Sequence, residues 1–211
     1  MKVLCVKWGD KYSPDYVTRL KSMCSRHLPE HDFVCVTEHS VEGVDCIPLV
    51  CDLPIWWQKL GLLQPGLFPG ENWYFDLDVV ISSAVSMPAY DGKLWALDDF
   101  SYSLRRPRHD LDDSVYPTLG GVGCCNSSVM YWHGDAGARA WESFRWEDRG
   151  ALHGDQNAIT KALWPDHLSL FPEGTARSYR YGGPENAPIT VFHGDPKPHQ
   201  VTDKWVHDHW R

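Results

Sequence analysis

Trp73-Tyr74-Phe75-Asp76-Leu77-Asp78-Val79-Val80-Ile81 is an apolar run with two acids set into its middle. Three aromatics lead in and three β-branched residues lead out, so it reads as a buried strand interrupted by charge. In an extended strand, positions i and i+2 point to the same side, which turns both carboxylates toward one cation. Two ionised acids in an apolar strand repel each other and are costly to bury uncompensated. Hard carboxylate oxygens suit Mg²⁺ or Mn²⁺ bridging phosphates. The alternative is that the acids cap the strand end and pair with Lys or Arg.

The flanking elements set that strand in an α/β domain. Val3 to Val6 is a short buried strand, followed by a turn at Trp8-Gly9-Asp10. Ser13-Pro14 opens a helix, with Ser at the N-cap and Pro at the first helical position. Val17, Leu20, Met23/Cys24 and Leu28 repeat on one face as far as Pro29. Phe33 to Val36 and Val44 to Val50 are further strands. Strand, helix, strand with short connections predicts a mostly parallel central sheet flanked by helices. Ligands of such sheets bind beyond the carboxyl ends of the strands, where the Trp8–Tyr12 turn lies.

Farther on, Trp56 to Leu60 begins a short helix, and Lys93 to Leu97 is a strand. Residues 100 to 123 are irregular. Asn126 to Trp132 is a strand, 135 to 146 and 155 to 163 are helices, Ile189 to Phe192 is a strand, and Gln200 to Trp210 is a short helix. His-Gly-Asp occurs at His133, His153 and His193, but at unequal intervals with unrelated flanks, so it is no repeat. One domain over 1–211 is the economical reading.

Composition excludes several classes. A chain of 211 residues buries about 70% of its unfolded surface without needing a metal or disulfide to fold. A formal charge of −8 argues against a broad nucleic-acid-binding face. The basic cluster Arg105, Arg106, Arg108 and His109 runs straight into Asp110, Asp112 and Asp113; it is either a solvated loop or a phosphate contact. Eleven tryptophans serve either packing or stacking on sugars and bases. Seven cysteines without a Cys-x-x-Cys pair indicate reduced thiols of a cytoplasmic protein. The apolar run Val3 to Val6 is too short for a secretory segment, and no later run would span a bilayer.

A second candidate motif is His193-Gly194-Asp195-Pro196-Lys197-Pro198, directly after an apolar strand. An imidazole there can reach a metal, and Lys197 a diphosphate oxygen; the plainer alternative is a polar turn with a solvated histidine. A nitrogen ligand beside two carboxylates favours Mn²⁺. Asp155 is placed either for catalysis or to cap the helix beginning at Gln156.

Taken in order, Asp-x-Asp after a strand, Asn126-Ser127-Ser128, Gly154-Asp155-Gln156 and His193-Gly194-x-x-Lys197-Pro198 resemble the glycogenin-like, family-eight retaining glycosyltransferases of the GT-A fold, over nearly the whole chain. The resemblance implies a nucleotide-binding turn at Trp8-Gly9-Asp10-Lys11-Tyr12, with Tyr12 stacked on the base and Asp10 near it. It implies that Lys59 reaches the donor, that Asn126 and Ser127 border the donor sugar, that Leu77 and Gly194 lie in the donor-binding motifs, and that Lys197 binds the diphosphate and serves catalysis. Asp76, Asp78 and His193 would bind Mn²⁺ or Mg²⁺, and Asp155 and Gln156 would lie beside the reacting carbon. The donor implied is a UDP-sugar, its hexose transferred with retention; the acceptor, whether glycan, lipid-linked sugar, protein or modified nucleobase, is left open. Two departures are His199 where the family closes on Trp, and Ser128 where it has Gly; the chain is also shorter than typical members. Two other classes compete: a nucleotidyltransferase, for which Trp8 to Ser13 lacks a Gly-rich basic loop, and a carbohydrate-binding module, which leaves the paired acids unexplained.

Overall fold

The computed structural model describes residues 1–101, 103–105, 123–152 and 154–211. Arg106, Arg108, His109, Asp110, Asp112, Asp113 and His153 lie outside the described residues. The architecture is mixed α/β, with a large, mostly parallel sheet flanked by helices. The chain forms two compact units, both discontinuous: Met1–Leu49, Trp73–Ala89 and Pro172–Arg211 make the first, Val50–Asn72 and Tyr90–Phe171 the second.

In the first unit, β1 (Lys2–Lys7) pairs in parallel with β2 (Asp32–Thr37), which pairs in parallel with β3 (Asp45–Ile47). Val3, Leu4, Cys5, Cys35 and Val36 are wholly buried, as expected of strands covered on both faces. β3 stops at Ile47 rather than Val50 because Pro48 follows and has no amide for the ladder. Between β1 and β2, α1 (Pro14–His27) buries Tyr16, Val17, Leu20, Met23 and Cys24, and full burial of such side chains contributes about 1.5–3 kcal/mol each. Ser13 occupies the N-cap position in an extended conformation, but its hydroxyl makes no capping bond; Pro14 sets the helix entry instead.

The run Trp73 to Ile81 is not one strand. β4 (Glu71–Phe75) ends before Asp76, and Asp76-Leu77-Asp78 leads through a turn into β5 (Val79–Ile81), which joins a different sheet. That second sheet places β10 (Ile189–Val191) between β5, antiparallel to it, and β9 (Ala176–Ser178), parallel to it. The two acids therefore do not share a pleat. α5 (Lys204–His209) closes the chain, preceded by a 3₁₀ turn at Pro198–Gln200.

In the second unit, β7 (Cys125–His133) runs antiparallel to β6 (Leu94–Asp98), and β6 pairs in parallel with β8 (Leu168–Leu170). A 3₁₀ turn at Ile55–Trp57 leads into the short α2 (Gln58–Gly61). α3 covers only Ala138–Ser143, half of the helix expected over 135 to 146. Phe144 leaves the helix in an extended conformation and stacks on Trp57, so tertiary packing overrides the local pattern. α4 (Asp155–Leu163) matches its expected span.

Gly137, at the start of α3, is a packing requirement. A methyl group there would sit 2.7 Å from Leu63 Cδ2 and 2.7 Å from Leu94 Cδ1, both on buried side chains. Gly137→Ala is expected to destabilise the protein by about 1–3 kcal/mol. Thermal denaturation should show a Tm lower by roughly 2–4 °C per kcal/mol; an unchanged Tm would mean that α3 moves freely off β6.

Candidate functional site

In the first unit the Asp76–Asp78 turn and the segment after β10 are neighbours by backbone pairing: the Phe192 amide donates to the Asp78 carbonyl at 3.2 Å. The residue after Phe192 is His193, so the backbone of His193 follows directly on this pairing with the acids' turn. Lys197 then turns back into the unit. Its Nζ donates to Asp78 Oδ2 at 2.5 Å and to the Phe192 carbonyl at 2.8 Å. The Tyr12 hydroxyl donates to the same Asp78 oxygen at 2.8 Å. Asp78 and Lys197 are both under 10% exposed, so this is a buried ion pair with a phenol as third member. Burial and the Asp78 and Asp76 charges push the Tyr12 phenol far above its ordinary value, which keeps it a donor at any physiological pH.

The other two expected metal ligands have protein partners. Asp76 Oδ1 accepts from the Tyr74 hydroxyl at 2.7 Å. His193 Nε2 lies 2.6 Å from Ser178 Oγ, which also accepts the amides of Arg180 and Tyr181. With two amides on its lone pairs, the Ser178 hydroxyl directs its proton to the imidazole. Among the described residues no three His, Cys, Asp or Glu side chains are arranged as a metal cage. The Lys197 ammonium neutralises Asp78 where a divalent cation was expected to. In donor type, two hard carboxylates and an imidazole on one turn and one adjoining segment suit Mn²⁺ or Mg²⁺, but their side chains are not gathered around one point.

The Trp8–Tyr12 turn is held by residues that sequence reasoning missed. Lys7 Nζ donates to the Gly9 carbonyl at 2.9 Å, and Glu38 Oε2 accepts the Gly9 amide at 2.5 Å. Gly9 has φ 60°, a left-handed conformation that glycine adopts without strain. Trp8 and Asp10 are exposed beside it. Tyr12 packs against Tyr16 with ring centroids 4.7 Å apart. Leu77, between the two acids, is buried. Gly194 has φ 69° and faces the Arg180 guanidinium, which would lie 3.5 Å from an added Cβ; Arg180, too, carried no motif in the sequence.

The second unit holds a separate buried cluster. Asp155 Oδ2 accepts from Ser127 Oγ at 2.5 Å and lies 3.6 Å from Lys59 Nζ, which is itself 3.3 Å from Ser127 Oγ. Gly154 takes the N-cap position, and Asp155 is the first residue of α4. The capping alternative for Asp155 is thus replaced by a side-chain network. Gln156 donates from Nε2 to Cys124 Sγ at 3.4 Å, and Asn126 Oδ1 accepts the Ser128 amide at 3.0 Å. Burial pushes the Cys125 thiol up to about 12, so it is an uncharged packing residue. All seven cysteines are free. A cleft of about 540 Å³ opens at the amino ends of β1 and β2, lined by Lys2, Lys21 and Asp32 among others, and contains none of these side chains.

No family model matches the sequence, and no curated protein matches it. Solved structures do. A galactosyltransferase, LgtC, in complex with donor and acceptor sugar analogues is 13% identical, with a TM-score of 0.69 over 99% of this chain and 93% of that one. The glycosyltransferase GlyE of Streptococcus pneumoniae is 16% identical, with a TM-score of 0.66 over 99% of this chain and 59% of that one. Mouse xyloside xylosyltransferase 1 is 12% identical, with a TM-score of 0.58 over 92% of this chain and 98% of that one. At these identities the likeness is one of fold: the chain has the GT-A fold of glycosyltransferases.

Proposed function

We propose that this chain is a metal-dependent glycosyltransferase of the glycogenin-like, family-eight kind, moving a hexose from a UDP-sugar to an acceptor with retention. The observation that carries the reading is the buried Lys197–Asp78 pair, joined by the Phe192–Asp78 backbone bond to His193. A buried ion pair is weak as a stability device, because desolvation of both charges offsets much of their attraction. It is well suited to a site that must exchange one cation for another.

Asp76, Asp78 and His193 would hold the metal, which when bound supplies positive charge to the donor's diphosphate. Lys197, released from Asp78, meets the charge that grows on the leaving phosphate oxygens, a preorganised contribution of several kcal/mol. The turn from Trp8 through Asp10 to Tyr12 receives the nucleobase. Lys59, Asn126 and Ser127 orient the sugar, and Asp155 and the Gln156 amide oxygen stabilise positive charge developing at the anomeric carbon. A cytoplasmic location belongs to this reading and is supported by the seven free cysteines; among the described residues no helix is long and apolar enough to cross a membrane.

A thermal-shift screen of nucleotide sugars with and without Mn²⁺ tests the reading, since a selective ligand raises apparent stability. A UDP-sugar is expected to raise Tm only with the metal present, and the same mixture to release UDP. Pyrophosphate release from an NTP and a sugar phosphate would point instead to a nucleotidyltransferase. Glycan binding without any nucleotide effect would make the chain a carbohydrate-binding module.

A further inference from the structure

Trp56 stands out from the tryptophans around it. Trp57, the next residue, is buried against Phe144 and Trp146, whereas the Trp56 indole is 44% exposed. Its neighbour Ile55 is 42% exposed and has φ 54°, a left-handed conformation that β-branched residues avoid and that tends to persist where function requires it. The chain thus adopts a strained turn at a residue with no core role, and presents an indole to solvent immediately after it.

The position of that indole is informative. Its Nε1 would lie 3.4 Å from a Cβ placed on Gly154, so its pyrrole edge rests on the backbone just before Asp155. Three residues along the chain from Trp56, Lys59 reaches the Asp155–Ser127 pair. An exposed aromatic face therefore borders the cluster to which the proposed function gives the reacting sugar. Broad aromatic faces take the apolar C–H face of a pyranose, while their polar edge stays anchored. The overall charge of −8 disfavours a polyanionic partner such as a nucleic acid.

We infer that Trp56 is a positioning residue for the acceptor, stacking on a neutral pyranose, so that the acceptor is a saccharide rather than a nucleobase or a peptide. The inference rests on the proposed function for the word acceptor, but the binding itself is measurable without turnover. Saturation-transfer NMR with methyl β-galactopyranoside and methyl β-glucopyranoside, in the absence of donor, is expected to show contact to the pyranose C–H face in the wild-type protein. Trp56→Ala should weaken that binding about tenfold, and Trp56→Phe should restore most of it. Equal binding by wild type and Trp56→Ala would overturn the inference. So would the absence of glycoside contact, or a Trp56-dependent signal seen only with uridine or with a Ser/Thr peptide. The melting shift given by UDP and Mn²⁺, recorded on the same samples, reports separately on the glycosyltransferase reading: Trp56-dependent glycoside binding without that shift sinks the latter and leaves the former.

Discussion

Asp78→Asn is expected to lower metal-dependent donor turnover by about a thousandfold, equivalent to roughly 4 kcal/mol of transition-state stabilisation. The reason is the number of tasks that meet on one oxygen. Asp78 Oδ2 receives the Lys197 ammonium at 2.5 Å and the Tyr12 hydroxyl at 2.8 Å, and in the proposed reaction the same carboxylate takes the divalent cation. An amide of the same shape can still accept a hydrogen bond from Tyr12, but it contributes no charge to a metal and leaves Lys197 buried without its counter-ion. Breaking a buried pair on one side costs about 3–5 kcal/mol, with the retained hydrogen bonds favouring the low end, so Tm should fall by roughly 6–12 °C. The two effects are separable by assaying turnover well below the variant's Tm, where the folded fraction is unchanged. Turnover within tenfold of wild type under those conditions would remove Asp78 from the metal site and return it to a purely structural pair.

Much of the fold could be read locally because its elements are local. β1, α1 and β2 follow from buried runs and from Pro14, each signal lying within the element that it specifies. Trp73 to Ile81 was misread for the opposite reason. Hydrophobic continuity shows that both halves are buried, but not that β4 and β5 belong to different sheets, which is settled by partners far away in the chain. β8 and β9 were missed because three residues are too few to display alternation. The interleaving of the two units is a non-local property of the same kind. In the site, residue identities were legible and their pairings were not. Nothing near Asp78 announces that Lys197, 119 positions away, will occupy its carboxylate. Ser178 and Arg180 sit in no motif, and exposure of Trp56 rather than Trp57 depends on the turn at Ile55.

For the second unit the largest expected effect is on the Lys59–Asp155–Ser127 cluster, where a double-mutant cycle measures the architecture and an isosteric variant the chemistry. Lys59 and Asp155 side chains are 9% and 6% exposed, so removing either charge takes from the other a buried counter-charge 3.6 Å away. Lys59→Met and Asp155→Leu are each expected to cost about 3–5 kcal/mol. The double variant should be less destabilised than the sum of the two, by about 0.5–3 kcal/mol of coupling, because it removes both charges of the pair together; denaturant unfolding measures all three. Turnover has to be read from a variant that keeps Lys59, because the proposed reaction places Lys59 on the donor sugar. The proposed role at the anomeric carbon requires the carboxylate itself, so Asp155→Asn, which keeps shape and a hydrogen-bond acceptor for Ser127, is expected to fall at least about a hundredfold below wild type in kcat. Near-normal kcat in Asp155→Asn would assign Asp155 to the scaffold and leave the transfer chemistry to other groups.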